Sequence, residues 1–144
     1  MLIILIFLLI QTLFAYNLNN DPNKQGSISL KITGFANDNG TCRFALDNSE
    51  DVYESDNSVF IGKVLPIINK KVILKIDSLE YGYYAIKVFH DENSNGEIDK
   101  NYLGIPTEDY GYSNNVSAWF GPPSWERAKF LFDRKYMTLE ISVD

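Results

Sequence analysis

From Ser27 onward, apolar residues recur at every second position in short runs, and no stretch sustains the three-to-four-residue period of an amphipathic helix. Ile28, Leu30 and Ile32 alternate with Ser27, Ser29 and Lys31; Cys42, Phe44 and Leu46 form a second such row. Val72, Leu74 and Ile76 form a third, and Met137, Leu139, Ile141 and Val143 close the chain with a fourth. Successive side chains of a strand point to opposite faces, so each row predicts a strand with one buried face. Tyr83 to His90 is apolar on both faces, which predicts a central strand, whereas Gly62 and Pro66 interrupt Val59 to Ile68 and demote it to an edge. Ala128, Phe130 and Phe132 alternate as a further strand. Asn39-Gly40 between the first two rows spells a tight turn and predicts that they pair as a hairpin. Without helical crossovers to build a parallel sheet, the expectation is an all-β fold, an antiparallel β-sandwich of about seven strands.

The N-terminus follows a different rule. Residues 2 to 10 are wholly apolar, the run continues through Leu13, Phe14 and Ala15, and the chain turns polar at Asn17. Such a run is shorter than the ~20 residues that span a bilayer and has the layout of a secretory signal ending near Ala15. The division expected is a signal peptide over 1–15, a polar linker over 16–26 and one β-sandwich domain over 27–144. An exported protein follows, periplasmic, on the cell surface or secreted, with no stable membrane span once the signal is removed. A net charge of −6 argues against nucleic acid as a partner, since that needs clustered Lys and Arg. The expected partner is an extracytoplasmic ligand or protein. Cys42 is the only cysteine, so neither an internal disulfide nor a thiolate zinc cluster can form.

One stretch escapes the alternation. His90 to Trp125 is far longer than an ordinary connection, yet it holds two tryptophans, a phenylalanine and three tyrosines, unlike a disordered segment. It predicts one long, ordered, functional loop. Asp91, Asn93, Asn95, Gly96 and Asp99 stand at positions 1, 3, 5, 6 and 9 of a calcium loop, with the carbonyl of Glu97 at position 7. Tyr102 occupies position 12, where a bidentate glutamate belongs, and Glu108 or Asp109 is left to supply that ligand. Six carboxylates and one lysine between Asp91 and Asp109 favour a bound cation, Ca2+ being the one expected. Asn95-Gly96 is equally the spelling of a plain hairpin turn. Tyr110, Tyr112, Trp119 and Trp125, with Phe120, are candidates for an aromatic platform that would hold a sugar or peptide without any metal, or for a lid packed on the sheet. His90, the only histidine, next to Asp91, invites a hydrolase reading. No nucleophile motif accompanies the pair, so the expectation is a non-enzymatic protein whose His90 ring hydrogen-bonds the loop.

Four blocks in order, GYYA (82–85), HDENSNGEID (90–99), LGIPTEDYGYSNN (103–115) and GPPSWERAKF (121–130), resemble the bacterial DUF2141 family. The resemblance implies an exported protein with one small β domain, a sandwich of the transthyretin or carboxypeptidase-regulatory kind, and the strand pattern alone leaves an Ig-like sandwich open as well. The resemblance implies no activity.

Overall fold

The computed structural model describes residues 24–144, and the signal and most of the linker expected over 1–26 lie outside that range. Eight strands make two sheets. They are β1 (Gln25–Thr33), β2 (Thr41–Asp47), β3 (Ile61–Leu65), β4 (Lys71–Glu80), β5 (Gly82–Asp91), β6 (Tyr110–Tyr112), β7 (Phe130–Phe132) and β8 (Tyr136–Ser142). The smaller sheet has the order β4-β1-β8, and the larger has β3-β2-β5-β6, with β7 also paired to β5. Two single-turn helices, α1 (Glu50–Tyr53) and α2 (Trp125–Ala128), complete the described elements with a 3-10 turn over Ser113–Asn115. The all-β expectation holds.

The alternating rows do what their period requires. Ile28, Leu30 and Ile32 from β1 meet Cys42, Phe44 and Leu46 from β2, Tyr84, Ile86 and Val88 from β5, and Val72, Leu74 and Ile76 from β4 in one core between the sheets. β5 is central, with β2, β6 and β7 as partners, and β3 is an edge. Because β5 is apolar on its second face as well, Ala85 on that face packs with Tyr53, Trp125 and Ala128, so α1 and α2 cap the outside of the larger sheet with a small second core.

Four details correct the sequence reading. β1 and β2 do not form a hairpin: residues 34–40 carry the chain across from one sheet to the other, and each strand pairs elsewhere. Periodicity sets which face is buried but is silent about partners, and Gly40, with φ of 65°, lies so close to the Asp91 carbonyl that a Cβ would stand 2.0 Å from it. β8 runs parallel to β1, from Ser27 opposite Tyr136 to Thr33 opposite Ser142, whereas the other pairings are antiparallel. Ala128 ends α2 rather than opening a strand. The linker, too, gives up Gln25 and Gly26 to β1.

The long loop is tied down midway. Tyr110 and Asp144 exchange backbone hydrogen bonds, so β6 meets the end of the chain beyond β8, and Gly111 lies where a Cβ would stand 2.4 Å from the Ser142 carbonyl. Buried Ser113 then joins three segments: its Oγ accepts from the Ile86 N–H at 2.8 Å and donates to the Ala128 carbonyl at 2.6 Å. Ser113→Ala would leave the buried Ile86 N–H without a partner, at a cost of about 1–3 kcal/mol, whereas the Ala128 carbonyl would keep the Asn114 amide at 3.1 Å. Urea unfolding should show a loss of about 1–3 kcal/mol, and a loss below ~0.5 kcal/mol would mean that the bridge does not fasten the loop.

Candidate functional site

The loop after β5 is organised around the Asp91 carboxylate, which is fully buried at the strand's end. Its Oδ1 accepts from the Asn95 N–H and its Oδ2 from the Gly96 N–H, both at 3.0 Å. Arg43 on β2 adds an ion pair, Nε to Oδ2 at 2.8 Å. Ser94 and Gly96 take positive φ, 59° and 90°, which turns the chain back over the carboxylate. Glycine at 96 is needed for its φ, and it also leaves room for Arg43, whose guanidinium a Cβ would meet at 3.3 Å.

On this frame the remaining oxygen and amide groups converge. Asn93 Oδ1 accepts from the Asn95 N–H at 2.9 Å, and Asn95 Oδ1 from the Glu97 N–H at 2.8 Å. The Asn93 and Asn95 amides donate to the two Asp99 carboxylate oxygens at 2.6 and 2.9 Å. Asp91, Asn93, Asn95 and Asp99 thus stand together as the sequence spacing predicts, two carboxylates and two neutral amides. Among the described residues no three His, Cys, Asp or Glu side chains gather as a metal group. The four side chains offer carboxylate and amide oxygens, with no thiolate or imidazole among them.

Glu108 takes a different place from a twelfth-position ligand. Its Oε1 accepts from the Glu92 N–H and its Oε2 from the Asp99 N–H, each at 2.9 Å, so it clamps the two ends of the turn together. Asp109 contributes its carbonyl to the His90 N–H at 2.8 Å, and Thr107 donates its N–H to the Asp99 carbonyl at 2.8 Å. Glu97 reaches toward the outer face of the larger sheet, where it lines a groove with Arg43, Lys87 and Lys100.

His90 is fully buried, edge-on to Phe35 at 5.3 Å. Its Nε2 donates to the Asn39 carbonyl at 2.8 Å, in the crossover between β1 and β2 rather than in the long loop. Burial pushes the Cys42 thiol, opposite His90, up to about 12, so it stays protonated at neutral pH.

The aromatics divide. Tyr110, Tyr112 and Trp119 line one cleft of about 440 Å³, the tyrosine rings 6.1 Å apart and T-shaped. Burial, reinforced by Tyr110, pushes the Tyr112 hydroxyl up to about 12. Trp125 does not join them: it is 7% exposed and packs on Tyr53 at 5.9 Å in the small outer core. Phe120 is wholly exposed. Sequence reasoning missed Arg43, which lies 48 positions before Asp91 and becomes its neighbour only through the β2–β5 register.

A family model described as an uncharacterized protein conserved in bacteria, DUF2141, matches residues 30–140, from β1 into β8 and across the whole loop. The chain belongs to the DUF2141 family. No curated protein and no solved structure matches it. In this DUF2141 chain the family match thus spans both the core rows and the Asp91–Glu108 turn.

Since Glu108 accepts two backbone N–H groups through two oxygens, Glu108→Gln would set an amide N–H2 against one of those donors. Loss of one charge-assisted bond costs about 1.5–3 kcal/mol, so a thermal melt should fall by several degrees. An unchanged melting temperature would show that the clamp contributes nothing.

Proposed function

We propose that this protein is an exported, non-enzymatic β-sandwich module that binds calcium weakly in the Asp91–Asp99 turn. The observation that carries this reading is the convergence of Asp91, Asn93, Asn95 and Asp99 on a turn whose ends Glu108 and Arg43 already hold. Glu108 is engaged by two backbone N–H groups, and Asp91 by two more and by Arg43, so the ligand set is the Asn93, Asn95 and Asp99 side-chain oxygens and the Glu97 carbonyl, with Asp91 joining only through the lone pairs its present partners leave. Two formal charges and no bidentate glutamate suit a dissociation constant of roughly 10⁻⁴–10⁻³ M, the range of extracellular modules. A site of that strength fits an exported protein and would stay empty in a cytosol.

A second reading rests on the cleft lined by Tyr110, Tyr112 and Trp119. Tyrosine and tryptophan offer flat apolar faces with polar edges, which suits an adhesion or carbohydrate-binding domain that needs no metal. Among the described residues no helix is long and apolar enough to cross a membrane.

Calcium at about a hundredfold over its dissociation constant should stabilise the folded state by ~2.7 kcal/mol. A melt with calcium against chelator should show this rise, and Asp99→Ala should abolish it while leaving the chelated protein folded. No calcium-dependent shift up to about 100 mM, a hundredfold over the weaker bound of that range, would defeat the calcium reading. Export is checked separately by mass spectrometry of the protein from its own cells: a chain starting near Tyr16 is expected, and an intact Met1 terminus in a cytoplasmic fraction would refute it.

A further inference from the structure

Two loop tips project the largest exposed apolar side chains of the long loop. On one, Tyr102 is 94% exposed, with Leu103 and Ile105 beside it; on the other, Trp119 is 90% and Phe120 106% exposed. The tips are neighbours, because Ile105 and Trp119 line the same cleft. Neither carries charge: residues 101–107 and 110–125 contain no Asp, Glu, Lys or Arg in a chain that is 22% charged.

The first tip is also closed by its own hydrogen bonds. Asn101 Oδ1 accepts from the Leu103 and Ile105 N–H groups at 2.9 and 3.1 Å. The Asn101 carbonyl accepts from the Gly104 N–H at 2.9 Å, and the Asn101 N–H donates to the Ile105 carbonyl at 2.8 Å. At the second tip the Gly121 N–H donates to the Ala118 carbonyl at 3.0 Å. An unpaired backbone group costs several kcal/mol in an apolar medium, so the first tip, with the Asn101, Leu103, Gly104 and Ile105 N–H groups paired within the turn, leaves water at reduced expense.

We propose that these two tips dock the protein on a phospholipid bilayer by inserting Tyr102, Leu103, Trp119 and Phe120 at the headgroup–acyl boundary. Three observations select lipid over a protein partner. Tyr102, Trp119 and Phe120 are each exposed over 90% or more of their surface, Trp119 giving only one edge to the cleft, and a fluid interface can close around such points. Their types, tryptophan and tyrosine with leucine and phenylalanine, are those that settle where one end of a side chain is apolar and the other wet. The backbone of the first tip is paired within its own turn, as entry into an apolar medium requires, while Lys100 stands at the base of that tip. The docking is apolar in origin, so it needs neither anionic lipid nor calcium and is independent of the function proposed above.

The test uses phosphatidylcholine vesicles with chelator present, at low and high salt. Trp125 is buried, so a blue shift of tryptophan emission on adding vesicles reports Trp119. The wild type should shift and co-sediment with vesicles at both salt concentrations. The double variant Trp119→Ala/Phe120→Ala should lose vesicle partitioning by about tenfold or more, and Leu103→Ser by several-fold, from the apolar area withdrawn. Both variants should keep the wild-type melting temperature, since the replaced side chains are exposed. The apolar N-terminal run is common to all three proteins, so differences among them report the tips. No emission shift in the wild type, or variants that partition as the wild type does, would overturn the proposal.

Discussion

The Asp91 carboxylate is the constraint on which the loop depends. Withdrawing a carboxylate from water costs several kcal/mol unless hydrogen bonds and an opposite charge replace the solvent. Here two backbone N–H groups and the Arg43 guanidinium do so. Each of these bonds dictates something else. The Asn95 and Gly96 N–H groups can reach Asp91 only if the chain reverses at Ser94, and Arg43 can reach it only from the neighbouring strand of the larger sheet. The end of β5, the shape of the turn and the β2–β5 register are therefore one arrangement. Glu108 extends it outward, repeating the device with two further backbone donors.

A second buried carboxylate lies at the opposite end of β2. Asp47 has no exposed surface, and Lys87 Nζ stands 3.0 Å from its Oδ2 at an angle unsuited to a hydrogen bond, so the contact is an ion pair by distance alone. The lysine directs its donor capacity instead to the Tyr53 carbonyl at 2.8 Å and lies 4.7 Å over the Tyr53 ring. Removing either charge would strand the other, whereas the intact pair adds little net stability. Its effect is positional: Lys87 holds α1 against the outer face of the larger sheet, beside the small core of Tyr53, Ala85, Trp125 and Ala128.

The tips and the turn belong to the same loop but follow opposite chemistry. The Asp91–Asp99 turn gathers charge and backbone donors around carboxylates, while residues 101–107 and 110–125 exclude charge altogether. The β5–β6 pairing, the Tyr110–Asp144 exchange, the Ser113 bridge and Asn115, whose Oδ1 accepts from the Ser142 N–H, keep these halves on one scaffold by drawing on the core strands.

Much of this was legible in the residues. Period-two rows identify the core strands because a pleated strand can bury alternate side chains in no other way, and β5, apolar on both faces, had to be central. The grouping of Asp91, Asn93, Asn95 and Asp99 was legible for the same reason: all four lie within nine residues, so local turn geometry brings them together. What required the tertiary structure was every relation between distant segments. Strand partners, the parallel placement of β8 on β1, and the crossing of residues 34–40 between sheets leave no mark on periodicity. Arg43 as the counter-ion of Asp91, Glu108 as a clamp and Trp125 as core rather than platform were decided likewise. Alternation tells a side chain which way to face, but only the packed sheets determine what it meets there.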